Sequence, residues 1–331
     1  GDGGAFWTEA SGCSGAATVV AHPAIPGTAF VGTFEGVAML DGTGSSCGAV
    51  TPIPGGAAAL LVDGTSLWAG TFGGEFFVST DDGLTFDPTA SGPGLGSVRA
   101  LARGATDDPA SPDGTVLYAV GGGGVARSLD GGAAWLAATG DLWATQVWAL
   151  DWDPVADALY AGTWRSGVFF SGDRGLTWQP FSDGLPPLEG WALEAGPAPP
   201  DGAQTTVYAG LNGGSVWRYD QGLSSWVPAN AGLFGSQVWD LIFDPEVPGL
   251  IYAATQDQGV FRSFDYGVTW ERPSLGPPEP GNGTALGLLP GAPGSPSVLF
   301  VGTPFDGIFR SDDAGATWTA VSGDIPDSFI T

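Results

Sequence analysis

Ser171-Gly-Asp-Arg-Gly-Leu-Thr-Trp178 is one copy of an eight-residue pattern, Ser-x-Asp-x-Gly-x-Thr-Trp, that recurs along the chain. Ser263 to Trp270 and Ser311 to Trp318 repeat it in full, and Ser79 to Phe86 repeats it with a different final aromatic residue. A short carboxylate or hydroxyl that caps backbone N–H groups, followed by a glycine that tolerates positive φ, is typical of a tight turn. We therefore interpret each copy as a structural turn.

Looser copies fill the gaps at Ser128 to Trp135 and Asp220 to Trp226, and a degenerate turn begins at Asp41. The turn aspartates lie roughly 40 to 50 residues apart, which is the length of one four-stranded propeller blade. These aspartates are Asp41, Asp81, Asp130, Asp173, Asp220, Asp265 and Asp313. Before each turn, an apolar strand carries an aromatic residue: Phe30, Trp68, Tyr118, Tyr160, Tyr208, Tyr252 or Phe300. Seven copies of two linked signals predict an all-β, seven-bladed β-propeller with these turns between the third and fourth strands of most blades.

The whole chain, 1–331, is expected to form this single propeller, with 323–331 as a C-terminal tail. Residues 1–12 resemble an eighth turn and outer strand, although only seven sets of inner strands are present. Either this N-terminal strand closes the last blade, or Trp318 to Ser322 closes it and the N-terminal strand is spare. A spare strand can pair with the exposed sheet edge of another molecule, so self-association through it is a hypothesis.

The formal net charge is -26, with 35 acidic residues and nine basic residues that are all arginine. This charge repels phosphate backbones and anionic lipid, so we expect no nucleic-acid partner. No apolar run is long enough to span a bilayer and no charged-then-apolar leader begins the chain, so no membrane insertion is expected.

Cys13 and Cys47 lie one repeat apart and form either one disulfide or two buried thiols; we favour the disulfide. The expected location is secreted, extracellular or periplasmic.

The repeated turn resembles the Asp-box, or BNR-repeat, β-propellers. That group includes sialidases, xyloglucan-cleaving glycoside hydrolases, the sortilin-type receptor domain and photosystem II assembly factors of the Ycf48 kind. The resemblance covers nearly the whole chain and implies the fold. It does not imply one activity, because the same turn occurs in enzymes and in non-enzymes.

Candidate ligand-binding residues follow from the geometry of a propeller, since the loops between second and third strands lie on the face opposite the Asp turns. Aromatic platforms with a few charged groups suit sugar rings or a peptide segment. On these loops the candidates are Phe34, Phe72, Trp164, Arg165 and Phe305. At one aligned position near the start of the inner strands they are Arg99, Trp148, Trp191 and Trp239, where the other three blades carry Ala17, Ala58 and Thr284. The alternative interpretation is that these tryptophans fill the channel or wedge between blades.

Catalysis has weaker support in the sequence. Sialidases need an arginine triad and a tyrosine nucleophile, whereas four of the nine arginines here recur at one point of the repeat. For a hydrolase like the xyloglucan-cleaving enzymes, the candidate carboxylates are Glu35, Asp257 and Asp306, but that family sets two propellers face to face. His22 is the only histidine and lies in a turn, so a Ser-His-Asp triad is not expected. No metal site and no cofactor are expected.

These observations favour a non-enzymatic binding or assembly scaffold for a protein or a glycan. Two alternatives stay open: a structural subunit of an extracellular homopolymer joined by a terminal strand, and a glycoside hydrolase.

Overall fold

A computed structural model describes residues 17–22, 25, 28–40, 48–104, 111, 116–138, 140–142, 146–186, 190–199, 205–235, 237–273, 283, 285–292, 294–303 and 307–320. The described residues form seven antiparallel sheets, which are the seven blades of a β-propeller. The only helical segment among them is a short 3₁₀ turn, Gly140–Leu142. In every sheet the strands follow one another in chain order, so each blade is a simple meander built from one continuous stretch of sequence.

Blades one to three each contain four strands, and the fourth is only two residues long. In blade one they are β1 Thr18–Ala21, β2 Ala29–Gly32, β3 Gly36–Leu40 and β4 Thr51–Pro52. In blade two they are β5 Ala59–Asp63, β6 Ser66–Gly70, β7 Phe76–Ser79 and β8 Asp87–Pro88. In blade three they are β9 Val98–Arg103, β10 Leu117–Gly121, β11 Gly124–Ser128 and β12 Leu136–Ala137.

Blades four to seven repeat the plan. In blade four the strands are β13 Val147–Asp153, β14 Ala158–Thr163, β15 Val168–Ser171 and β16 Gln179–Pro180. In blade five they are β17 Gly190–Pro197, β18 Thr205–Leu211, β19 Ser215–Asp220 and β20 Ser225–Pro228. Blade six has β21 Val238–Phe243, β22 Ile251–Thr255 and β23 Gly259–Ser263, with an isolated bridge between Arg262 and Glu271 beside the last of these. Blade seven has β24 Ala285–Leu289, β25 Val298–Thr303, β26 Gly307–Ser311 and β27 Thr319–Ala320.

The outer strand of blade seven is formed by residues from the C-terminal side of the chain. Thr319 pairs with Arg310 and Ala320 pairs with Phe309, so β27 continues the same meander as in the other blades. Several expectations fall outside the described residues: the strand at 1–12, the tail at 323–331, the turn at Asp41 and the disulfide between Cys13 and Cys47. Self-association through the N-terminal strand stays a prediction.

The repeated turn is closed by a ladder of side-chain hydrogen bonds between the third and fourth strands. In blade four, the buried Ser171 hydroxyl donates to Asp173 Oδ1 at 2.8 Å and accepts the Gly175 N–H at 2.8 Å. Asp173 in turn accepts the backbone N–H of Thr177 at 2.8 Å and its hydroxyl at 2.6 Å. The same ladder occurs with Asp81, Asp265 and Asp313, and without the Thr hydroxyl at Asp130.

These bonds explain both the turn's composition and its charge. Arg174 and Gly175 adopt φ of 59° and 82°, the left-handed region that a glycine enters at little cost. In blade two, hydrogen bonds from the hydroxyl and the N–H of Thr85, then from Ser79, lower the pKa of Asp81 to about 2. Blade five lacks the serine and keeps a reduced form, in which Asp220 accepts the Leu223 N–H at 3.0 Å.

Each turn also binds the neighbouring blade. The tryptophan at the end of the turn is buried and donates its indole N–H backwards: Trp178 to Ala138 O at 2.8 Å, Trp226 to Phe181 O at 2.7 Å and Trp270 to Ala229 O at 2.8 Å. The aromatic residue of the second strand reaches forwards to the carbonyl inside the next turn: Trp68 to Gly131 O, Tyr118 to Arg174 O and Tyr208 to Tyr266 O. Neighbouring blades are therefore joined by specific hydrogen bonds as well as by packing.

The hydrophobic core lies between the blades rather than in one central mass. Each cluster of buried side chains combines the second and third strands of one blade with the inner strand of its neighbour. The cluster between the last and first blades includes Leu289 and Phe300 on one side and Val19 and Val31 on the other. In the described part of the chain, side-chain packing at this seam closes the ring.

Four arginines recur at one point of the third strand, and the structure gives them a common neighbour. Arg127, Arg218, Arg262 and Arg310 each lie opposite the aromatic residue of the second strand in their own blade.

No helix among the described residues is long and apolar enough to cross a membrane.

Replacing the serine of one turn should destabilise the propeller. Ser263→Ala leaves the buried Gly267 N–H without its acceptor and removes the bond to Asp265, so we expect a loss of about 1–3 kcal/mol in the free energy of unfolding. Urea denaturation measures this loss, with Ser91→Ala at an exposed position as the matched control. A change below about 0.5 kcal/mol, the range of ordinary surface substitutions, would contradict the role of the turn.

Candidate functional site

The loops between the second and third strands project from the face opposite the Ser-Asp turns, and we call this the loop face. A threonine begins most of these loops and is fully buried. Its hydroxyl closes the loop by donating to a carbonyl on the third strand's side, as from Thr33 to Gly36 at 3.0 Å, Thr163 to Gly167 at 2.7 Å and Thr255 to Gly259 at 2.8 Å. The residues between these anchors are held on the surface.

Two of the predicted residues form an exposed aromatic pair on the loop face. The rings of Phe34 and Phe72 stack with centroids 4.8 Å apart and an interplanar angle of 26°. Phe34 is 45% exposed and Phe72 is 38% exposed, although they come from different blades. Apolar rings this exposed cost free energy in water, so the pair is a ready contact surface for a partner.

The inner strands of blades three to six share an irregularity that the sequence did not reveal. Each pairing with the second strand skips one residue near its start, which is the signature of a β-bulge. The skipped residues are Arg99, Trp148, Trp191 and Trp239, the four that align in the sequence. In blades one, two and seven the inner strands pair without a skipped residue, so the bulges occupy one side of the mouth of the central channel.

On this side of the mouth, four flat groups stack in series. The guanidinium carbon of Arg99 lies 3.5 Å from the centroid of the Trp148 ring. Trp148 packs on Trp164 with centroids 5.1 Å apart, and the guanidinium carbon of Arg165 lies 5.8 Å from the Trp164 ring. Trp148 is therefore in contact with a guanidinium from one blade and with a second tryptophan from its own blade. The ligand-binding role of these residues stays a prediction.

The remaining predicted residues are distributed as follows. Trp239 is half-buried. Trp191 lies in an inner strand, but its side chain is not described, and Phe305 and Asp306 lie outside the described residues. The two other candidate hydrolase acids, Glu35 and Asp257, are exposed on loops of blades one and six. The structure also adds Phe234, which is 55% exposed on the same face and packs edge-on against Phe261.

Three carboxyl groups of the inner strands were missed in the sequence: Asp151, Glu194 and Asp240, which we call the channel carboxyls. Each accepts a backbone N–H from the inner strand of the next blade. Asp151 accepts from Ala195 at 2.5 Å, Glu194 from Phe243 at 3.2 Å and Asp240 from Leu286 at 2.7 Å. An inner strand has no strand partner on its channel side, and these carboxyls satisfy part of that open edge.

A signal for them was present in the sequence. An acid that interrupts an apolar inner strand, as in Trp148-Ala-Leu-Asp151 and Trp191-Ala-Leu-Glu194, has no reason to be there unless it meets a polar partner.

Burial raises the pKa of all three channel carboxyls. The pKa of Asp240 rises to about 7, because loss of solvent outweighs the N–H bonds from Leu286 and Leu241. Burial also raises the pKa of Asp151. The pKa of Glu194 is raised first by burial and then by the nearby charges of Asp151 and Asp240. The neighbouring Asp153 adds to the effect at Asp151.

His22 takes a structural position. Its Nδ1 accepts the Ile25 N–H at 3.1 Å, its ring stacks on Phe30, and its Nε2 lies 3.5 Å from Asp82 in the turn of the next blade.

Among the residues that the structure describes, no group of three or more His, Cys, Asp or Glu side chains is arranged to hold a metal ion.

No protein-family model matches the sequence, and no curated protein matches it significantly. Solved structures do match. A GH74 xyloglucanase from Xanthomonas campestris has a TM-score of 0.70 and 20% identity over 94% of this chain, which spans only 54% of the xyloglucanase. A GH74 enzyme from Niastella koreensis gives the same picture, with a TM-score of 0.68, 18% identity, and 93% and 54% coverage. The chain thus spans about half the length of these enzymes.

Two other matches cover most of both chains. YCF48 bound to a D1 peptide has a TM-score of 0.62 and 16% identity, over 88% of this chain and 89% of that one. Sqt1 of Chaetomium thermophilum, bound to the N-terminus of the ribosomal protein L10, has a TM-score of 0.63 and 16% identity, over 94% and 88%. At these identities the matches establish the propeller fold. The finer resemblance to Asp-box propellers remains a prediction.

The channel carboxyls should make the folded chain lose stability as the pH rises. Asp240 has a pKa of about 7 when folded and about 3.9 when unfolded, so the folded state binds more protons between these values. We therefore expect the Tm of the wild type to fall between about pH 4 and pH 7, and Asp240→Asn to reduce this fall.

Differential scanning fluorimetry across that pH range measures both curves. Asp257→Asn, which removes an exposed acid and the same unit of charge, is the matched control and should follow the wild type. If Asp240→Asn and Asp257→Asn shift the curve equally, general charge repulsion explains the effect and the buried carboxyl does not.

Proposed function

We propose that this protein is a non-enzymatic propeller that works as a binding or assembly scaffold through its loop face, with a protein or a glycan as partner. The observation that carries the proposal is the concentration of aromatic side chains on that face: an exposed Phe34–Phe72 pair on one side of the mouth and the Arg99–Trp148–Trp164 stack on the other. Binding surfaces are enriched in such aromatic and arginine side chains.

The opposite face supports this choice by contrast. On that face Leu84, Leu176 and Val268 are exposed at the same position of three turns, and each belongs to a separate blade. Single exposed apolar residues are ordinary on protein surfaces, whereas an inter-blade stack of exposed rings is not. The turn face has a structural role in each blade, and the loop face is free of that role.

The structural neighbours fit a scaffold. YCF48 and Sqt1 are propellers solved with a peptide or protein segment bound, and the xyloglucanases act on a glycan. These facts concern those proteins, and we extend to this chain only the general use of a propeller as a binding surface. We propose an extracytoplasmic location, in keeping with the disulfide expected between Cys13 and Cys47.

Removing the exposed aromatic pair should abolish partner binding without unfolding the chain. We expect Phe34→Ala combined with Phe72→Ala to weaken binding to the glycan or peptide that the wild type binds on an array by at least about tenfold. The reason is the loss of two aromatic rings that the partner would bury. Fluorescently labelled protein on paired glycan and peptide arrays provides the measurement.

The matched control is Leu84→Ala combined with Leu176→Ala, which removes two exposed apolar side chains from the turn face. This control should bind like the wild type. Equal losses in both double variants, or retention of full binding by the Phe34 and Phe72 variant, would argue against the loop face as the binding surface.

A further inference from the structure

Arg99 differs from the other arginines in what it contacts. Five arginines form ion pairs: Arg103 with Asp63, Arg174 with Asp157, Arg218 with Asp220, Arg262 with Glu271 and Arg310 with Asp312. Arg127 donates to the carbonyl of Arg174. Arg99 forms neither an ion pair nor a hydrogen bond with any residue in the described part of the chain, and its Nε is buried without an acceptor. With 35 acidic residues in the sequence, a guanidinium without a carboxylate is unexpected.

The backbone and the neighbouring blade hold this side chain in place. Arg99 is the bulge residue of its inner strand, and a bulge redirects the side chain it carries. The Trp148 ring, 3.5 Å from the guanidinium carbon, supports it from the next blade. Contact with the ring covers one face of the guanidinium but leaves its N–H groups, which lie in its plane, to meet an acceptor at the edge.

The energetics favour an incoming acceptor. Burial lowers the pKa of Arg99, which means that its charge has lost part of its solvation. A buried donor without an acceptor carries a desolvation cost, and a carboxylate that pairs with both N–H groups of a guanidinium recovers it through charge-assisted bonds. Planar carboxylates match the guanidinium fork in two parallel hydrogen bonds, which a lysine cannot reproduce.

The surroundings select among ligands that carry such a group. An acidic sugar would need an open aromatic face for its ring, but the Trp148 ring already contacts both Arg99 and Trp164. A phosphate dianion or a strongly acidic segment is opposed by the net charge of -26 more than a single carboxylate is. The same net charge favours neutral or basic residues beside that carboxylate.

We propose that Arg99 is the anchor for the carboxylate of a peptide whose other residues are neutral or basic, bound at the mouth of the central channel. This inference rests on the proposed function, since it names the partner class and the anchoring residue on the same loop face. The carboxylate belongs either to the end of the peptide chain or to an Asp or Glu side chain, and the experiment separates these two sources.

The test uses bead-displayed libraries of random octapeptides and purified full-length protein. One library has a free C-terminal carboxylate and no Asp or Glu, a second has an amidated C-terminus with Asp and Glu allowed, and a third is amidated and free of acids. We expect the wild type to enrich carboxylate-bearing peptides over the third library by about tenfold or more, the factor that one bidentate charged pair provides. Enrichment in the first or the second library identifies the chain end or the side chain.

Arg99→Gln should reduce this enrichment to the level of the acid-free library, and Arg99→Lys should lose most of it because the fork is absent. Arg103→Gln removes the same charge from the other end of the same inner strand, where Arg103 pairs with Asp63, and should bind like the wild type. Thermal unfolding of each variant checks that the fold is retained.

Three results would overturn the inference. Retention of the wild-type preference by Arg99→Gln would show that another group recognises the carboxylate. Equal binding of acid-free peptides by the wild type would refute the anchor while leaving the scaffold function standing. Binding to no peptide library and to no glycan array would refute both the anchor and the proposed function.

Discussion

The propeller depends on hydrogen bonds that its turns make with the blade before them. In blades three, four and six, the residue between aspartate and glycine takes a left-handed conformation, and its carbonyl accepts a bond from the second-strand aromatic of the preceding blade, as Arg174 does from Tyr118. In blade seven, the carbonyl of Ala314 accepts from Arg262 of the preceding blade. The tryptophan that ends the turn donates back to that same blade, as Trp178 does to Ala138. A local motif of eight residues thereby sets both the shape of one blade and its docking on another.

This constraint gives the molecule one face on which the same turn geometry recurs and an opposite face whose loops differ from blade to blade. The composition of the turns is constrained because their bonds have partners in the preceding blade, whereas the loops at the other ends of the same strands have only their threonine anchors to satisfy. The four bulges lie at this end of the strands. A skipped residue changes where one side chain points and leaves the rest of the strand pairing in register. Arg99 and Trp148 can therefore meet at the mouth without disturbing the contacts that hold the blades.

Much of the fold could be predicted from the sequence, because the turn motif and the second-strand aromatic recur with one period and each has a single structural meaning. The blade count and the placement of the turns between third and fourth strands followed directly. The candidate site was less accessible. The alignment of Arg99, Trp148, Trp191 and Trp239 was visible, but a bulge is a difference of one residue in pairing and leaves no signature in one strand's sequence. The mutual covering of Trp148 and Trp164 depends on neighbours from two elements, and the channel carboxyls depend on N–H groups of the next blade, neither of which a period reveals.

The seam between the first and last blades also affects how the ring would respond to mechanical force. Each described blade is a complete meander of consecutive strands, and Val19 and Val31 meet Leu289 and Phe300 there through apolar packing. Among the residues that the structure describes, no backbone ladder crosses this seam, so tension between the two blades would separate two apolar surfaces. Such an interface yields over a short distance and re-forms readily once the load is removed, because the strand pairing on either side of it is never broken.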